Sequence, residues 1–503
     1  MALFFVVKLL CLQIQIVVQF SEFFLSFTHF LKKSKIYLRS GQGKGFIKNE
    51  NNFVFVIKSK QKKMLKIAKR SFSSKKHFAD IVIVGGGLVG SCLASKLALS
   101  PWMSSKKICL LESASKKVSL NGFDAKATKY SNRVVALNPR TQKLFESIGV
   151  WKRIPRLKPF HKMFVWDHCS PSNIEFKSSD KPIAHIIEND LVLKALEEVA
   201  DECENLQVIY GAKLNSCNLE QSRPQLQLED GQILETDLVI GADGVNSTIR
   251  KAMGSNYDSK DYGQFGVVGT VTLEENEARD DIAFQKFMPT GPIALLPLGK
   301  QKVSLVWTLP TEKAKSVKNL DPEAFASELN YQLNKAYEPS PIIDSLNSSL
   351  GLFLRPFRSP EESAITALPP PKAVKVENVA MFPLGLGKAD RYVTKNSAII
   401  GDAAHRVHPL AGQGVNLGYN DILQLTEALE NNVKHGQAFP NYQYLCDYES
   451  ASMRHNLPIV TAIDGLQQLY CTENSILVAA RSVGLQFVNS NRTLKNFIIS
   501  AAS

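Results

Sequence analysis

The apolar run Asp80-Ile81-Val82-Ile83-Val84 passes directly into Gly85-Gly86-Gly87-Leu88-Val89-Gly90, then into helical spacing through Cys92, Leu93 and Leu97. A buried strand that must turn at once into a helix leaves few folds open. Glycine permits such a turn and lets backbone approach a ligand with no Cβ in the way. Gly85, Gly87 and Gly90 stand in the register of a dinucleotide fingerprint. A second strand, Ile108-Cys109-Leu110-Leu111, ends at Glu112, 22 residues after Gly90, where a carboxylate meets an adenosine ribose hydroxyl. The glycine pattern alone is weak and is also compatible with a turn that holds no ligand. The strand before it, the helix after it and the acid at this distance make it strong. A carboxylate here favours an unphosphorylated ribose, so FAD or NAD rather than NADP.

Two further segments end apolar strands in Gly/Asp turns. Ser397-Ala398-Ile399-Ile400 leads into Gly401 to Asp421 (GDAAHRVHPLAGQGVNLGYND), and a helical pattern follows with Leu423, Leu425 and Leu429. Asp402 at a strand end suits ribose or ribityl hydroxyls. Gly412, Gly414 and Gly418 admit a flat ring close to backbone. The amides from Gln413 through Gly414 and Val415 to Asn416, opening a helix, attract an electron-rich ring edge. These features together read as a flavin site. The third segment, Leu238-Val239-Ile240-Gly241-Ala242-Asp243-Gly244, is followed by Ser247 and Arg250. On its own Asp243 reads as a turn aspartate.

Together the three segments resemble the class A flavoprotein aromatic hydroxylases, whose fold is of the p-hydroxybenzoate hydroxylase type. The resemblance implies that Gly85, Gly87, Gly90 and Glu112 bind the ADP half of FAD. It places Asp243, Gly244 and Arg250 at the pyrophosphate region and Gly401 and Asp402 on the ribityl chain. Pro409, Gly412, Gln413, Gly414, Val415 and Asn416 would then line the isoalloxazine. Arg133 reads from sequence as a surface charge, and the resemblance makes it a flavin or phosphate contact. Within the family the chain is similar to the ubiquinone-biosynthesis monooxygenases. That likeness rests on the Gly401–Asp421 wording, Phe382-Pro383-Leu384 before Ala389-Asp390-Arg391-Tyr392-Val393, and Arg133-Val134-Val135-Ala136-Leu137. The C-terminal run with Leu469-Tyr470, Arg481, Gly484-Leu485 and Leu494-Lys495 fits the same branch.

The net charge of +13 would suggest nucleic acid if it were spread over the chain. It is not. Residues 1–79 hold 16 Lys/Arg against Glu22 and Glu50, and the remainder holds 44 basic against 45 acidic residues. A near-neutral body removes the case for a nucleic-acid partner. Residues 64–77, starting Met64-Leu65-Lys66-Ile67-Ala68-Lys69-Arg70, are basic, Ser-rich and free of acids, as in a mitochondrial presequence. Residues 1–63 are expected to be a non-native extension, with a secretory signal or anchor as the alternative. The uncharged stretch Leu9 to Ser21 is shorter than the ~20 residues that span a bilayer. The eight cysteines form no CxxC pair or framework spacing, which favours a reducing compartment. His405 and His408, three apart, lack further nearby ligands, so no metal site is expected.

The expected architecture is α/β: a discontinuous Rossmann-like FAD-binding domain over 78–160, 184–261 and 377–440. A β-rich substrate domain over 161–183 and 262–376 is inserted, and C-terminal helices occupy 441–503. Helices are predicted over Asn138 to Trp151, Asn189 to Cys203 (Leu191, Leu193, Leu196 and Val199 inward) and Pro322 to Tyr337. Phe164–Asp167 and Ile174–Phe176 read as a hairpin. Leu206–Tyr210 and Leu226–Leu234 read as strands, as do three runs within 264–309. A loop ends at Pro369-Pro370-Pro371. The stripe with Val460, Ile463, Leu466 and Leu469 reads as core, with a polyprenyl channel or a membrane face as the alternative.

No catalytic triad or carboxylate pair stands out. The resemblance implies hydroxylation through a flavin C4a-hydroperoxide, in which the protein positions the ring and excludes water. It further implies a polyprenylated 4-hydroxybenzoate-type phenol and O2 as substrates, attack at C5, and ferredoxin with its reductase as electron donor. An inner-membrane surface on the matrix side and a ubiquinone-biosynthesis enzyme complex follow as partners. The alternatives are a soluble NAD(P)H-fed hydroxylase of a small phenol, and a non-catalytic binding module for a prenylated partner.

Overall fold

The parallel strand–turn–helix unit read from the first glycine cluster is present: β1 (Lys76–Val84), α1 (Leu88–Ala98) and β2 (Ile108–Glu112). The computed structural model describes residues 76–116, 129–275, 280–341, 343–345, 368–410 and 412–502. The leader expectations for residues 1–75 therefore lie outside the described residues. β3 (Val134–Leu137) leads into α2 (Pro139–Ser147), where Asn138 accepts from the Thr141 amide at 2.9 Å and Pro139 fills the first helical position. β4 (Lys158–Phe160), β5 (Lys162–Asp167), β6 (Asn173–Lys177) and β7 (Ala184–Glu188) precede α3 (Asn189–Asp201). Then come β8 (Leu206–Tyr210), β9 (Leu214–Asn218), β10 (Gln225–Leu228), β11 (Ile233–Gly241) and the short α4 (Thr248–Ala252).

The middle of the chain supplies β12 (Tyr257–Leu273), β13 (Ile282–Phe287), β14 (Ile293–Gly299), β15 (Lys302–Pro310), α5 (Thr311–Lys318) and α6 (Pro322–Asn334). β16 (Ala373–Ala389), β17 (Val393–Thr394), β18 (Ser397–Ile399) and β19 (His405–Arg406) follow. The chain closes with α7 (Gln413–Lys434), α8 (Tyr442–Tyr470), α9 (Ser475–Asn489) and α10 (Arg492–Ala502). Among the described residues no helix is long and apolar enough to cross a membrane.

The first sheet runs β17-β18-β11-β1-β2-β8, with β9 and β10 added beside β11. Ile81, Val82 and Ile83 are wholly buried, as expected of a strand covered on both faces. β1 is parallel to β2 and β11, and β11 is parallel to β18. Val84 lies beside Leu111 and Gly241, and Gly241 beside Ile399. Parallel pairing therefore delivers all three glycine-bearing turns to one carboxyl edge, where open α/β sheets bind ligands. The second sheet runs β19-β16-β12-β15-β14-β13-β5-β6, antiparallel except where β13 meets β5. A small third sheet, β3-β7-β4, lies beside them in the chain order.

Several sequence expectations shift. Leu226–Leu234 is not one strand: the chain reverses between β10 and β11, with Gly231 at φ +87° in the turn. Helix α6 stops at Asn334 rather than Tyr337, and the buried Lys286 ammonium satisfies its freed end by donating to the Gln332, Leu333 and Lys335 carbonyls at 2.8, 2.9 and 2.8 Å. In α3, Leu193 is only half-buried, and Val192 and Ala195 take the inner face. The chain pairs with the second sheet beyond residue 376. β16 continues to Ala389 against β12, which itself begins at Tyr257, so both strands run across the boundaries read from sequence.

Candidate active site

The glycines of the first turn divide by role. Gly85 has φ +108°, and a Cβ there would lie 2.4 Å from the Ala242 carbonyl oxygen. A Cβ on Gly90 would lie 1.9 Å from the Gly85 oxygen. Those two glycines serve packing of the turn against β11 and α1. At Gly87 a Cβ would meet nothing within 4 Å, so its free side is open to a ligand at the uncapped start of α1. Glu112 is fixed at the end of β2: one carboxylate oxygen accepts from the Gly86 amide at 2.7 Å, the other from the Ala114 amide at 2.6 Å.

Asp243 caps α4, accepting from the Thr248 and Ile249 amides at 2.7 and 3.3 Å. Its second oxygen is buried with no partner among the described residues. Gly244 carries φ +78°. Arg250 departs from the sequence expectation. Its guanidinium, 4% exposed, donates to the Ala403 and Val245 carbonyls at 2.7 and 2.6 Å and lies over the Tyr257 ring at 3.8 Å. Those bonds tie the Asp243 turn to the Gly401 turn instead of reaching outward. Arg133 is exposed.

The Gly401 turn is built by close approach. Gly401 takes φ +59°, and a Cβ on Gly418 would lie 2.7 Å from Val89 Cγ2 and 3.4 Å from Gly401 Cα. Asp402 is accessible to solvent yet sits in a crowded recess. Loss of water raises its carboxyl above the ordinary range against the pull of His405 and Arg406. Gly412, at φ +60°, precedes α7, and no side chain among the described residues caps that helix, so its first amides are left without side-chain acceptors there. Gln413, Gly414 and Val415 are half-buried at this start. Asn416 is spent internally: its amide donates to the Ala136 and Gly412 carbonyls and accepts from the Thr141 hydroxyl at 2.9 Å.

The sequence reading missed Asp421. It is 0% exposed and accepts from the Gly401 amide at 2.9 Å, His405 Nε2 at 2.5 Å, Asn456 Nδ2 at 2.9 Å and the Ser452 hydroxyl. Burial works against the charge on both members of the His405–Asp421 pair. Their mutual attraction outweighs it, raising His405 and lowering Asp421. His408 is the opposite case. It is 0% exposed, neither ring nitrogen has a partner among the described residues, and burial pushes it down to about 4. Tyr262 stands edge-on to it at 5.5 Å and donates to Asp464 of α8 at 2.7 Å. The spacing of Tyr262 and Gln264 on β12, and of Asp464 and Gln467 on α8, was the available signal for this polar seam, where Gln467 donates to Gln264 at 2.6 Å.

The donor set fits FAD. Among the described residues it has an open glycine at a helix start, a fixed acid at the end of β2, a recessed carboxylate with no hydrogen-bond partner on its side chain, and a second helix start that no side chain caps. Bound there, FAD supplies the redox and O2 chemistry. The chain supplies the cradle. Among the described residues no cluster of three or more His, Cys, Asp or Glu side chains is arranged to hold a metal ion.

Comparison with known proteins agrees with this geometry. The FAD binding domain family model matches residues 79–347 and 364–454. The chain is 39% identical over 435 residues to the Caenorhabditis elegans protein named ubiquinone biosynthesis monooxygenase COQ6, mitochondrial, covering 85% of this chain and 96% of that one. The human protein of the same name is 37% identical over 436 residues, covering 84% and 92%. The crystal structure of PqsL, a probable FAD-dependent monooxygenase from Pseudomonas aeruginosa, superposes with a TM-score of 0.59 at 21% identity, over 81% of this chain and all of that one. That last likeness speaks to the fold alone. The chain belongs to the FAD-dependent class A flavoprotein aromatic hydroxylases, in the branch of the ubiquinone-biosynthesis monooxygenases.

Proposed function

We propose that this enzyme hydroxylates C5 of a polyprenyl-4-hydroxybenzoate-type ring in ubiquinone synthesis. The observation that carries the reading is the extent of the likeness: more than nine-tenths of relatives bearing that pathway name is matched at 37–39% identity. Gly87 and Glu112 would hold the ADP half of FAD, Asp402 the ribityl hydroxyls, and the first amides of α7 the anionic ring edge. The cradle positions cofactor and phenol and keeps water out, which is the work such a reaction asks of a protein.

The setting proposed is the matrix face of the mitochondrial inner membrane, as a peripheral member of a multi-enzyme complex, with ferredoxin and its reductase as electron donor. The relatives' mitochondrial names support the compartment. Quinone-lipid profiling after deletion of the gene tests the substrate and position together. Accumulation of a polyprenyl phenol lacking the C5 hydroxyl is expected, and an unchanged quinone profile would overturn the proposal. Anaerobic mixing of the holoenzyme with NADPH tests the donor: the flavin stays oxidised if ferredoxin is required, and rapid bleaching would rule that route out.

A further inference from the structure

We propose that Asp421 is a positioning residue for the flavin, setting the Gly401 turn and thereby the aim of Asp402 without touching the cofactor. The proposal stands on FAD binding alone, not on the identity of the phenol. Asp421 lies on α7, eight residues beyond Gln413, and its carboxylate is wholly buried. Every atom facing it is a donor. The Gly401 amide and His405 Nε2 meet one oxygen, and the Ser452 hydroxyl and Asn456 amide meet the other. Three segments that must be in register for the site therefore converge on one charge: the Gly401 turn, the helix whose start faces the cofactor, and α8.

The geometry explains why the charge sits there. Gly401 is left-handed, and its amide has to be held for the next residue to project into the recess. A neutral acceptor could hold that amide, but the His405 ring shares the same oxygen, and His405 follows Asp402 by three residues. Asp421 thus fixes both sides of Asp402. α8 reinforces the same turn from outside: Tyr448 donates to the Ile399 carbonyl at 2.8 Å, and Glu449 accepts from the Tyr392 amide at 2.7 Å. With four donors supplied by protein, the carboxylate has no capacity left for a ligand. Its influence on the flavin passes through the turn.

Asp167 supplies the control. It is also fully buried and also meets four donors: Arg481 Nε and Nη2 at 2.9 and 3.0 Å, the Ser170 hydroxyl at 2.9 Å and the Cys169 amide at 3.1 Å. It belongs to β5, the next-to-last strand of the second sheet, and its partners lie on the loop after β5 and on α9 rather than on the Gly401 turn. The test measures FAD affinity of the apoprotein, the visible circular dichroism of bound flavin, and thermal stability for Asp421→Asn, Ser452→Ala and Asp167→Asn.

Asp421→Asn is expected to raise the FAD dissociation constant at least about tenfold and to change the flavin dichroism. Ser452→Ala, the milder change should Asp421→Asn not fold, moves both readouts the same way by about threefold in affinity. Asp167→Asn lowers thermal stability and leaves affinity and dichroism as in the parent. Parental affinity and dichroism in Asp421→Asn or Ser452→Ala would overturn the proposal. So would an equal loss of affinity in Asp167→Asn, which would make the effect one of buried charge in general.

Discussion

The first glycine turn and the Gly401 turn lie at the same edge of the same sheet, yet they are held by different means. The Gly85–Gly90 turn is constrained mainly by backbone, a Gly85 that must pass Ala242 and a Gly90 that must pass Gly85, with the Glu112 carboxylate on the Gly86 amide as a side-chain tie. The Gly401 turn is held by side chains from 4 to 55 residues further along the chain, His405, Asp421, Ser452 and Asn456, and by Arg250 from the opposite direction. A backbone-built turn should fail through sterics. A turn held by side chains should fail through lost hydrogen bonds and charge, with its shape recoverable.

The sharpest test of that contrast is Gly90→Ala. With a Cβ 1.9 Å from backbone oxygen there is no side-chain motion to relieve it, so a loss of about 4 kcal/mol or more is expected. Chemical denaturation, or failure to recover soluble holoprotein, would show it, and near-parental stability would break the comparison. Arg250→Ala comes next. It strands the Ala403 and Val245 carbonyls and should cost about 2–3 kcal/mol, with weaker FAD binding as the two turns uncouple. Denaturation alongside FAD titration would separate the two effects.

The histidines of the Gly401 loop sharpen the contrast through pH. His408 is buried without partners, and its folded value of about 4 lies below the ordinary value near 6.5. Its contribution is therefore fully present above about pH 6.5 and is lost as pH falls toward about 4, by up to about 3 kcal/mol. His408→Leu should flatten the stability profile in that window. Part of the slope stays, because burial also lowers His168, His185 and His455. His405 has the opposite sign: raised by Asp421, it contributes below about pH 6.5 and loses that contribution as pH rises through its raised value. The smallest expected change in stability is at Gly87→Ala, under about 1 kcal/mol, since its Cβ meets nothing within 4 Å. FAD affinity should nonetheless fall about tenfold if, as proposed, the open side of Gly87 receives the ADP half of FAD. Parental affinity there would mean that the open face is not the cofactor's.

The same contrast accounts for what could be read in the sequence. Turn conformation is local, so Gly85, Gly401 and Gly412, all at positive φ, announced themselves, and the parallel sheet followed from the strands that precede the turns. Glu112 was legible because its distance from Gly90 is fixed by one helix and one strand. Asp421 was not, since nothing local distinguishes a helix aspartate that meets Ser452 and Asn456 from one facing solvent. Arg250 was placed near the right turn, but the direction of its guanidinium depends on Ala403, which only the fold brings close. The β16 strand was hidden by its proline and by pairing with β12, whose partner residues lie a hundred or more positions earlier. Pro383 sits within β16, and the loop at Pro369–Pro371 suggested an earlier return to the first sheet than Ala389 allows.

The most direct measurement is isotopic. The purified holoenzyme, supplied with reduced ferredoxin, a polyprenyl-4-hydroxybenzoate-type phenol and oxygen-18-labelled O2, should give a product with one labelled oxygen in a new ring hydroxyl. Label entering from water instead, or a flavin that is reoxidised with no hydroxylated product from this phenol, would contradict the assignment.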